Sequence, residues 1–484
     1  MIDPDLGSRV LAAVKACRTA ALAVVANSAW LPHEDLPELG TFHSVWPSFQ
    51  QTLLGEREGP RKLGSLFGQS RDALHALAFR DVPELGELID YVAGSTQLSD
   101  LMQIRLLDGT LMADESVRTA MTHIGAAQLA LSVLTRADAL GVDSDKELAA
   151  IWEQRERALL ARSLSAQLVV PLITTELPVD DRLDLADGVW IERMDAKLQL
   201  ARAPIGSAIH AVPSPLGGAA RFAVVVDGVR LDNDPQWKRY LRQGTDGLPL
   251  ETVDLLCQAL RIVCAAATGY SQILLRPLDW ADHWKHDLPA LEEVSRLRRY
   301  PERLDNYGWL RAPEPVTHAE LADLPVMFAG LLQAAPRVQL AARRLSQAAM
   351  RPDDEDRTLD ACIGIEALVG EGRDELTHKM SLRSATVLAG TMRPSATYAL
   401  VKAVYDYRSR IVHGDKDASK KSLIALSDSE KLPAAFVAML LLRRLLVSVL
   451  TAPWTPKSAD AALLECLGAE DLPPSSEEDG GGSV

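Results

Sequence analysis

The C-terminal part of the sequence contains an arginine and a histidine whose types could handle a phosphate. Arg408 and His413 are separated by four residues in the string VYDYRSRIVHGD (404–415). Helical periodicity places Arg408 near the middle of an apolar face, where its permanent charge needs a carboxylate, backbone carbonyls or a bound anion. Because a guanidinium can hold two phosphate oxygens at once, this position is a candidate anion site.

Two further charged residues interrupt apolar helical faces nearby. Glu366 interrupts the apolar stripe that contains Cys362. Arg383 shares a face with Met380 and Val387. One carboxylate and two arginines on inward faces leave a local surplus of positive charge. This pattern fits either a structural ion network that fixes helix packing or an anion site, with phosphate as the favoured ligand.

His413 lies at the end of the same predicted helix as Arg408, just before Gly414. The negative helix terminus favours a protonated imidazole. At about 100° per residue, a regular helix separates the two side chains by about 140°. They meet at one ligand if the helix loosens over 411–414, or if the pocket combines two copies of the chain. Otherwise His413 is an exposed residue that caps the end of its helix.

Asp406 lies on the opposite side of this helix from Arg408 and four residues before Arg410. Opposite charges at this spacing form ordinary pairs on the solvent face of a helix. We therefore expect an ion pair between Asp406 and Arg410 rather than a contact between Asp406 and Arg408.

Three predicted helices must position these residues. The first covers 358–369 before Gly370, and the second covers 374–389 before Gly390. The third begins with Ser395 as its N-cap after Pro394 and ends at 412–413. The acidic run PDDED (352–356) precedes the first helix, where negative charge compensates the helix dipole.

The fold class that these patterns predict is mainly α, in five segments. Residues 1–164 form a multi-helix N-terminal region of unknown role. Residues 165–235 form a small β-containing segment, or an irregular connector with short strands. In it, RFAVVVDGVRLD (221–232) is predicted as a strand, a turn at Asp227–Gly228 and a second short strand. A mixed helical connector (236–329), a helical bundle (330–455) and a C-terminal tail (456–484) follow. We expect the tail to be disordered from about 470.

Composition and charge limit the class of protein. The 484 residues carry 51 Lys and Arg against 66 Asp and Glu, a net charge of −15. This balance argues against coating nucleic acid through bulk charge, although one small basic pocket remains compatible with it. The N-terminus has no basic region before an apolar core, and the apolar run 434–450 contains Arg443 and Arg444. We therefore expect a cytoplasmic protein that does not enter a membrane.

Motifs for cofactors and metals are absent from the sequence. It contains no GxxxxGK[ST], GxGxxG, HEXXH or GxSxG string, and its five cysteines form no CxxC pair. His283 and His286 have ligand-like spacing with Asp282 nearby, but no third firm ligand follows, so we interpret them as surface histidines. We expect no cofactor and no metal.

Three strings in the bundle resemble the HEPN superfamily, most closely its Apea-like branch: IGIEALVG (363–370), ELTHKMSLRSATVLAG (375–390) and VYDYRSRIVHGD (404–415). The hallmark of the superfamily is an arginine followed by four to six residues and a histidine, which Arg408 and His413 match. The resemblance covers about 330–455, and a fainter similarity covers 167–194. One departure is Ser409, because active members frequently carry Asn, Asp or His at this position.

The resemblance implies a bundle of four or five helices that often dimerises through the motif helices. Many members are metal-independent ribonucleases of toxin–antitoxin, antiphage and stress systems, whereas others are inactive scaffolds or nucleotide-binding modules. It implies a catalytic pair and four supporting residues: Arg408 and His413, with Glu366, Arg383, Ser409 and Asp406. The expected partners are RNA as a transient substrate, a second copy of the chain and a regulatory protein.

Overall fold

A computed structural model describes most of the chain. The described residues are 2–27, 38–42, 46–50, 62–72, 74–107, 114–203, 214–233, 245–305, 316–370, 376–414, 422–426 and 430–468. The chain divides into two compact units. The N-terminal unit comprises 1–253, 269–299 and 307–313, and the C-terminal unit comprises 254–268, 300–306 and 314–484. The structure is mainly helical with small sheets, as the sequence predicts.

Helices dominate the first part of the N-terminal unit. They are α1 (Pro4–Asn27), α2 (Pro83–Gly94), α3 (Thr96–Leu107), α4 (Glu115–Leu140) and α5 (Asp145–Leu160). Helix α1 buries Leu6, Val10, Val14 and Cys17 at three- and four-residue spacing, and it packs against α2, α4 and α5. Two short strand pairs accompany them: β1 (Glu38–Phe42) with β2 (Trp46–Gln50), and β3 (Phe67–Gly68) with β4 (Leu77–Ala78).

A six-stranded antiparallel sheet completes the N-terminal unit. Its strands are β5 (Ser163–Leu172), β6 (Arg182–Ala186), β7 (Val189–Arg193), β8 (Phe222–Asp232), β9 (Tyr270–Pro277) and β10 (Glu292–Arg299). They lie in the order β10-β9-β5-β8-β7-β6. Two short helices, α6 (Ala196–Arg202) and α7 (Ser214–Gly218), lie between β7 and β8 in the chain.

The predicted turn at Asp227–Gly228 is wrong. Strand β8 continues through both residues, which lie opposite the single residue Gln167 of β5. Two residues facing one form a β-bulge, and Gly228 has the positive φ of 73° that such a bulge accepts. An Asp-Gly pair therefore bends one strand here instead of joining two.

The sheet also extends beyond the segment that the sequence assigned to it. Strands β9 and β10 come from 236–329, which we predicted to be a helical connector. The buried strand β9 has no alternation of polar and apolar residues to mark it. Among the described strands, β10 pairs only with β9, and its charged sequence EEVSRLRR is typical of a sheet edge.

The C-terminal unit is a bundle of helices with one hairpin. Its elements are α8 (Leu250–Cys264, from Asp254 onward), α9 (His318–Leu332), α10 (Pro336–Met350), α11 (Asp354–Val369), α12 (Leu376–Val387), α13 (Pro394–Val412), β11 (Leu423–Ala425), β12 (Lys431–Pro433), α14 (Ala434–Thr451) and α15 (Pro456–Gly468). Helices α11 and α14 contact each other, and both also contact α10, α12 and α13. Helices α12 and α13 form a second contacting pair, and α15 packs against α12.

Helix α15 corrects the prediction that the chain beyond 455 is a tail. Pro456 opens this helix, as a proline can at a helix start, and Ala459 is buried. The disorder predicted from about 470 falls on 469–484, which lie outside the described residues.

Among the residues that the structure describes, two helices are long and apolar enough to cross a membrane by length and composition, Pro4–Asn27 and Ala434–Thr451. Both bury an apolar face within their own units: Leu6, Val10 and Val14 in α1, and Leu441 and Leu445 in α14, are fully inaccessible to solvent.

Candidate active site in the C-terminal bundle

Helix α11 carries Glu366 and begins earlier than predicted. The Asp353 side chain accepts hydrogen bonds from the backbone N–H groups of Glu355 and Asp356, so the helix begins at Asp354 instead of Thr358. The acidic run thus provides the cap and the first turn, where its charges oppose the helix dipole. The helix ends before Gly370 as predicted.

Helix α13 carries Arg408 and begins differently from the prediction. Pro394 occupies the first helical turn and Arg393 is the N-cap, so Ser395 lies inside the helix and does not cap it. The fixed φ of proline suits that position, and the helix start has no side-chain cap. At the other end, Gly414 adopts a φ of 67°, which terminates the helix as predicted.

Glu366 and Arg408 face each other across α11 and α13. Arg408 Nη2 lies 3.7 Å from Glu366 Oε1, and the two side chains are 35% and 26% exposed. The separation exceeds hydrogen-bonding distance, and the buried Oε1 has no hydrogen-bond partner. Arg408 makes no side-chain hydrogen bond to any residue that the structure describes. Glu366 therefore holds the guanidinium electrostatically, and no residue in the described part of the chain occupies its donors.

Neutral groups line the inner side of this pair. The Tyr405 hydroxyl donates to the Cys362 carbonyl oxygen at 3.1 Å. Burial, and then the nearby Cys362 and Glu366, raise the pKa of Tyr405 well above its usual value. Burial also raises the pKa of the Cys362 thiol. Both groups therefore stay uncharged at neutral pH.

Arg383 points inward as predicted, but its partner is a residue that the sequence reading missed. Its Nε and Nη2 donate to the two carboxylate oxygens of Asp460 at 2.7 and 2.6 Å, and Nη1 donates to the Val369 carbonyl at 2.8 Å. Hydrogen bonding to Arg383 lowers the pKa of Asp460. A second carboxylate therefore offsets the predicted surplus of positive charge, because α15 belongs to the bundle.

His413 is exposed at the C-cap of α13. Its backbone N–H donates to the Ser409 carbonyl at 3.0 Å, so the helical turn persists to the end. The helix does not loosen, and the side chains of Arg408 and His413 leave it about 140° apart. The exposed Ser409 lies between them along the chain. One copy of the chain thus does not bring Arg408 and His413 to the same face.

The predicted ion pair between Asp406 and Arg410 is wrong. No ion pair joins them in the structure, and both line an open groove between α13 and the hairpin of β11 and β12. The small side chains of Ala399 and Ala403 make room for this groove on the same face of the helix. At about 100° per residue, His413 projects toward the groove side and Arg408 toward the opposite side.

The two histidines set aside as metal ligands do not converge. His283 faces Glu292 at 3.4 Å, and His286 faces Asp287 at 2.9 Å. Within the described part of the chain, no group of three metal-ligating side chains could hold an ion.

Comparison with family models, curated proteins and solved structures finds no match to this chain. The interpretation of the site therefore rests on its residues. Asp460, Tyr405 and Cys362 were missed as parts of it. A signal existed for Asp460, since it is a lone acid in the helical run SADAALL.

Proposed function

We propose that this chain is a metal-independent endoribonuclease of the HEPN type that acts in antiphage defence or a stress response. The observation that carries the proposal is the partly exposed guanidinium of Arg408, which Glu366 holds at 3.7 Å while its donors stay open. An exposed histidine ends the same helix. Metal independence follows from the resemblance to HEPN proteins.

The residue types match the demands of RNA cleavage. The reaction needs a base that deprotonates a 2′-hydroxyl, a cation that stabilises the charge on the phosphorane, and a proton for the leaving oxygen. Arg408 would bind the non-bridging oxygens and stabilise the developing charge. His413 would accept the proton of the 2′-hydroxyl near neutral pH, and water would supply the proton of the leaving oxygen. Glu366 would orient Arg408, Arg383 would fix the helices, and Ser409 would contribute a hydroxyl hydrogen bond.

The angular separation on α13 favours a site built from two copies. Arg408 of one copy and His413 of the other can face the same phosphate without any distortion of the helix. A homodimer with twofold symmetry would contain two such sites. In this proposal the N-terminal unit senses a trigger or binds a regulatory protein, and the enzyme works in the cytoplasm.

The first test is RNA cleavage in excess EDTA by wild type, Arg408→Ala and His413→Ala. Removing a charge-stabilising donor costs about 10²–10³-fold in rate, and removing a general acid or base costs about 10²–10⁴-fold. The control is Arg393→Ala, which removes the same charge from an exposed N-cap. Products with 2′,3′-cyclic phosphate ends that disappear in both site variants support the proposal. Equal cleavage by all variants contradicts it.

A mixing experiment tests the composite site. Half of the dimers formed from Arg408→Ala and His413→Ala chains are mixed, and each has one intact site, so about a quarter of wild-type activity returns. A site within one chain gives no recovery. The mixture must be allowed to exchange subunits, which co-expression ensures.

A second candidate is a catalytically inactive HEPN scaffold or nucleotide-binding module. The bidentate pair of Arg383 with Asp460 favours it, because this arginine serves helix packing. In that case Arg408→Ala lowers stability or nucleotide affinity, and no RNA cleavage depends on His413. Thermal unfolding of the same variants separates the two candidates.

A further inference from the structure

The groove between α13 and the hairpin is large enough to hold a peptide. We call it the hairpin groove, and its volume is about 720 Å³. Its α13 wall contains Ala396, Ala399 and Ala403, whose small side chains leave space beside the helix. Its opposite wall is the strand β11 with the residues that flank it. Leu423 and Leu426 on that wall are 55% and 42% exposed, so the groove has an apolar surface without a cover among the described residues.

Two cations lie in the hairpin groove. Arg410 projects from α13, and Lys431 begins β12. Neither side chain forms an ion pair or hydrogen bond with any described residue, and the same holds for the single carboxylate of the groove, Asp406. A fitting occupant therefore combines apolar residues with a cluster of negative charge.

The last residues of the chain have this composition. The segment 469–484 reads AEDLPPSSEEDGGGSV, with five acids and no base. After Glu470 and Asp471 come Leu472 and two prolines, and the acids Glu477, Glu478 and Asp479 follow. The order of apolar and acidic residues matches a groove with an apolar wall and two cations.

The length of the segment allows docking within one chain. Helix α15 packs on α12, and α12 packs on α13. The path from α15 to the hairpin groove crosses two interhelical distances of about 8–10 Å each and the width of α13, in total about 30 Å. Glu477 lies nine residues beyond Gly468, which spans about 30 Å when extended. Glu470 and Asp471 lie too close to α15 to reach the cations.

We propose that the segment from Leu472 to Asp479 docks in the hairpin groove of its own chain, with Glu477, Glu478 and Asp479 at Arg410 and Lys431. The docked segment covers the face of α13 toward which His413 projects. It would compete there with a second copy of the chain or with RNA. The docking itself does not depend on any cleavage activity.

The test is binding of a fluorescent peptide of sequence 469–484, followed by anisotropy at low salt. A chain truncated after Gly468 has an empty groove and binds the peptide. Full-length protein binds at least tenfold more weakly, because the tethered segment competes at a high effective concentration. Equal binding by both chains, or no binding by the truncated chain, overturns the proposal.

Matched variants locate the contacts. In the peptide, E477Q/E478Q/D479N should weaken binding at least tenfold, whereas E470Q/D471N should leave it within twofold. In the truncated chain, Arg410→Gln and Lys431→Gln should weaken binding, whereas Lys402→Gln, an exposed lysine of α13 outside the groove, should not. Equal effects of the two peptide variants contradict the assigned contacts.

A full-length variant guards against a folding defect in the truncated chain. With E477Q/E478Q/D479N in place, the intact chain should bind the wild-type peptide as the truncated chain does. If peptide binding instead falls as protein concentration rises, with no dependence on the tethered segment, a second copy occupies the groove and the proposal fails.

Discussion

The ion pair between Arg383 and Asp460 gives the sharpest test of how the bundle is held together. The Arg383 side chain is 6% exposed and the Asp460 side chain is 46% exposed. Asp460→Asn keeps the shape of the side chain and removes its charge. We expect this change to destabilise the packing of α12 against α15, because the buried guanidinium loses a carboxylate that accepts two hydrogen bonds.

The magnitude follows from the unequal burial of the partners. Removing one member of a buried ion pair costs about 3–5 kcal/mol, whereas an exposed pair contributes about 0–1 kcal/mol. One partner here is buried and the other is screened by water. We therefore expect Asp460→Asn to cost about 2 kcal/mol, between the two limits.

Hydrogen exchange of the α12 backbone measures this loss locally. Where the exchange rate follows the opening equilibrium, a loss of about 2 kcal/mol in stability makes exchange roughly 30-fold faster. The control is Glu465→Gln, which neutralises an exposed acid of the same helix α15. An acceleration below threefold for Asp460→Asn would refute the reasoning, since the pair would then contribute no more than a surface ion pair.

The difference in stability between wild type and Asp460→Asn changes with pH in a defined direction. Arg383 lowers the pKa of Asp460 in the folded protein. The folded state therefore binds this proton less readily than the unfolded state, and the stabilisation is present above the unfolded pKa of about 4. It is lost as the pH falls through the folded pKa, so wild type and Asp460→Asn should converge in acid.

Two further substitutions test the core around the site. Gly364→Ala places a Cβ 2.5 Å from the buried Leu442, so we expect it to lower the free energy of unfolding by about 1–3 kcal/mol. The control Gly390→Ala has open space around the new Cβ and should cost nothing. Equal melting temperatures of the two variants would contradict this packing. Tyr405→Phe removes the hydrogen bond to the Cys362 carbonyl and should cost about 1 kcal/mol in the same measurement.

Local signals in the sequence predicted the local features of the site. Glycine after an apolar run marked the ends of α11 and α13, and the inward position of Arg383 followed from helical spacing. The proximity of Glu366 to Arg408 also followed, because both interrupt apolar faces of adjacent helices. The helix ends and the inward positions depend on residues within a few turns of one another, whereas the pairing of Glu366 with Arg408 joins two helices that are close in the chain.

Features that depend on distant residues were missed. Asp460 lies 77 residues after Arg383, and nothing near Arg383 indicates which acid it binds. The strand β9 is buried along most of its length, so it lacks the alternation that marks a half-exposed strand. The Asp-Gly pair in β8 has the composition of a turn, and only its pairing with β5 makes it a bulge.

The contrast between Arg383 and Arg408 separates packing from chemistry. Both are arginines on apolar helix faces, but a carboxylate fills the donor fork of Arg383, while the fork of Arg408 has no hydrogen bond among the described residues. A carboxylate and a phosphate need the same fork, so Arg408 is the one able to bind an anion. Arg408→Lys keeps the charge but loses the fork. It should preserve stability and reduce cleavage, whereas Arg383→Lys should reduce both together.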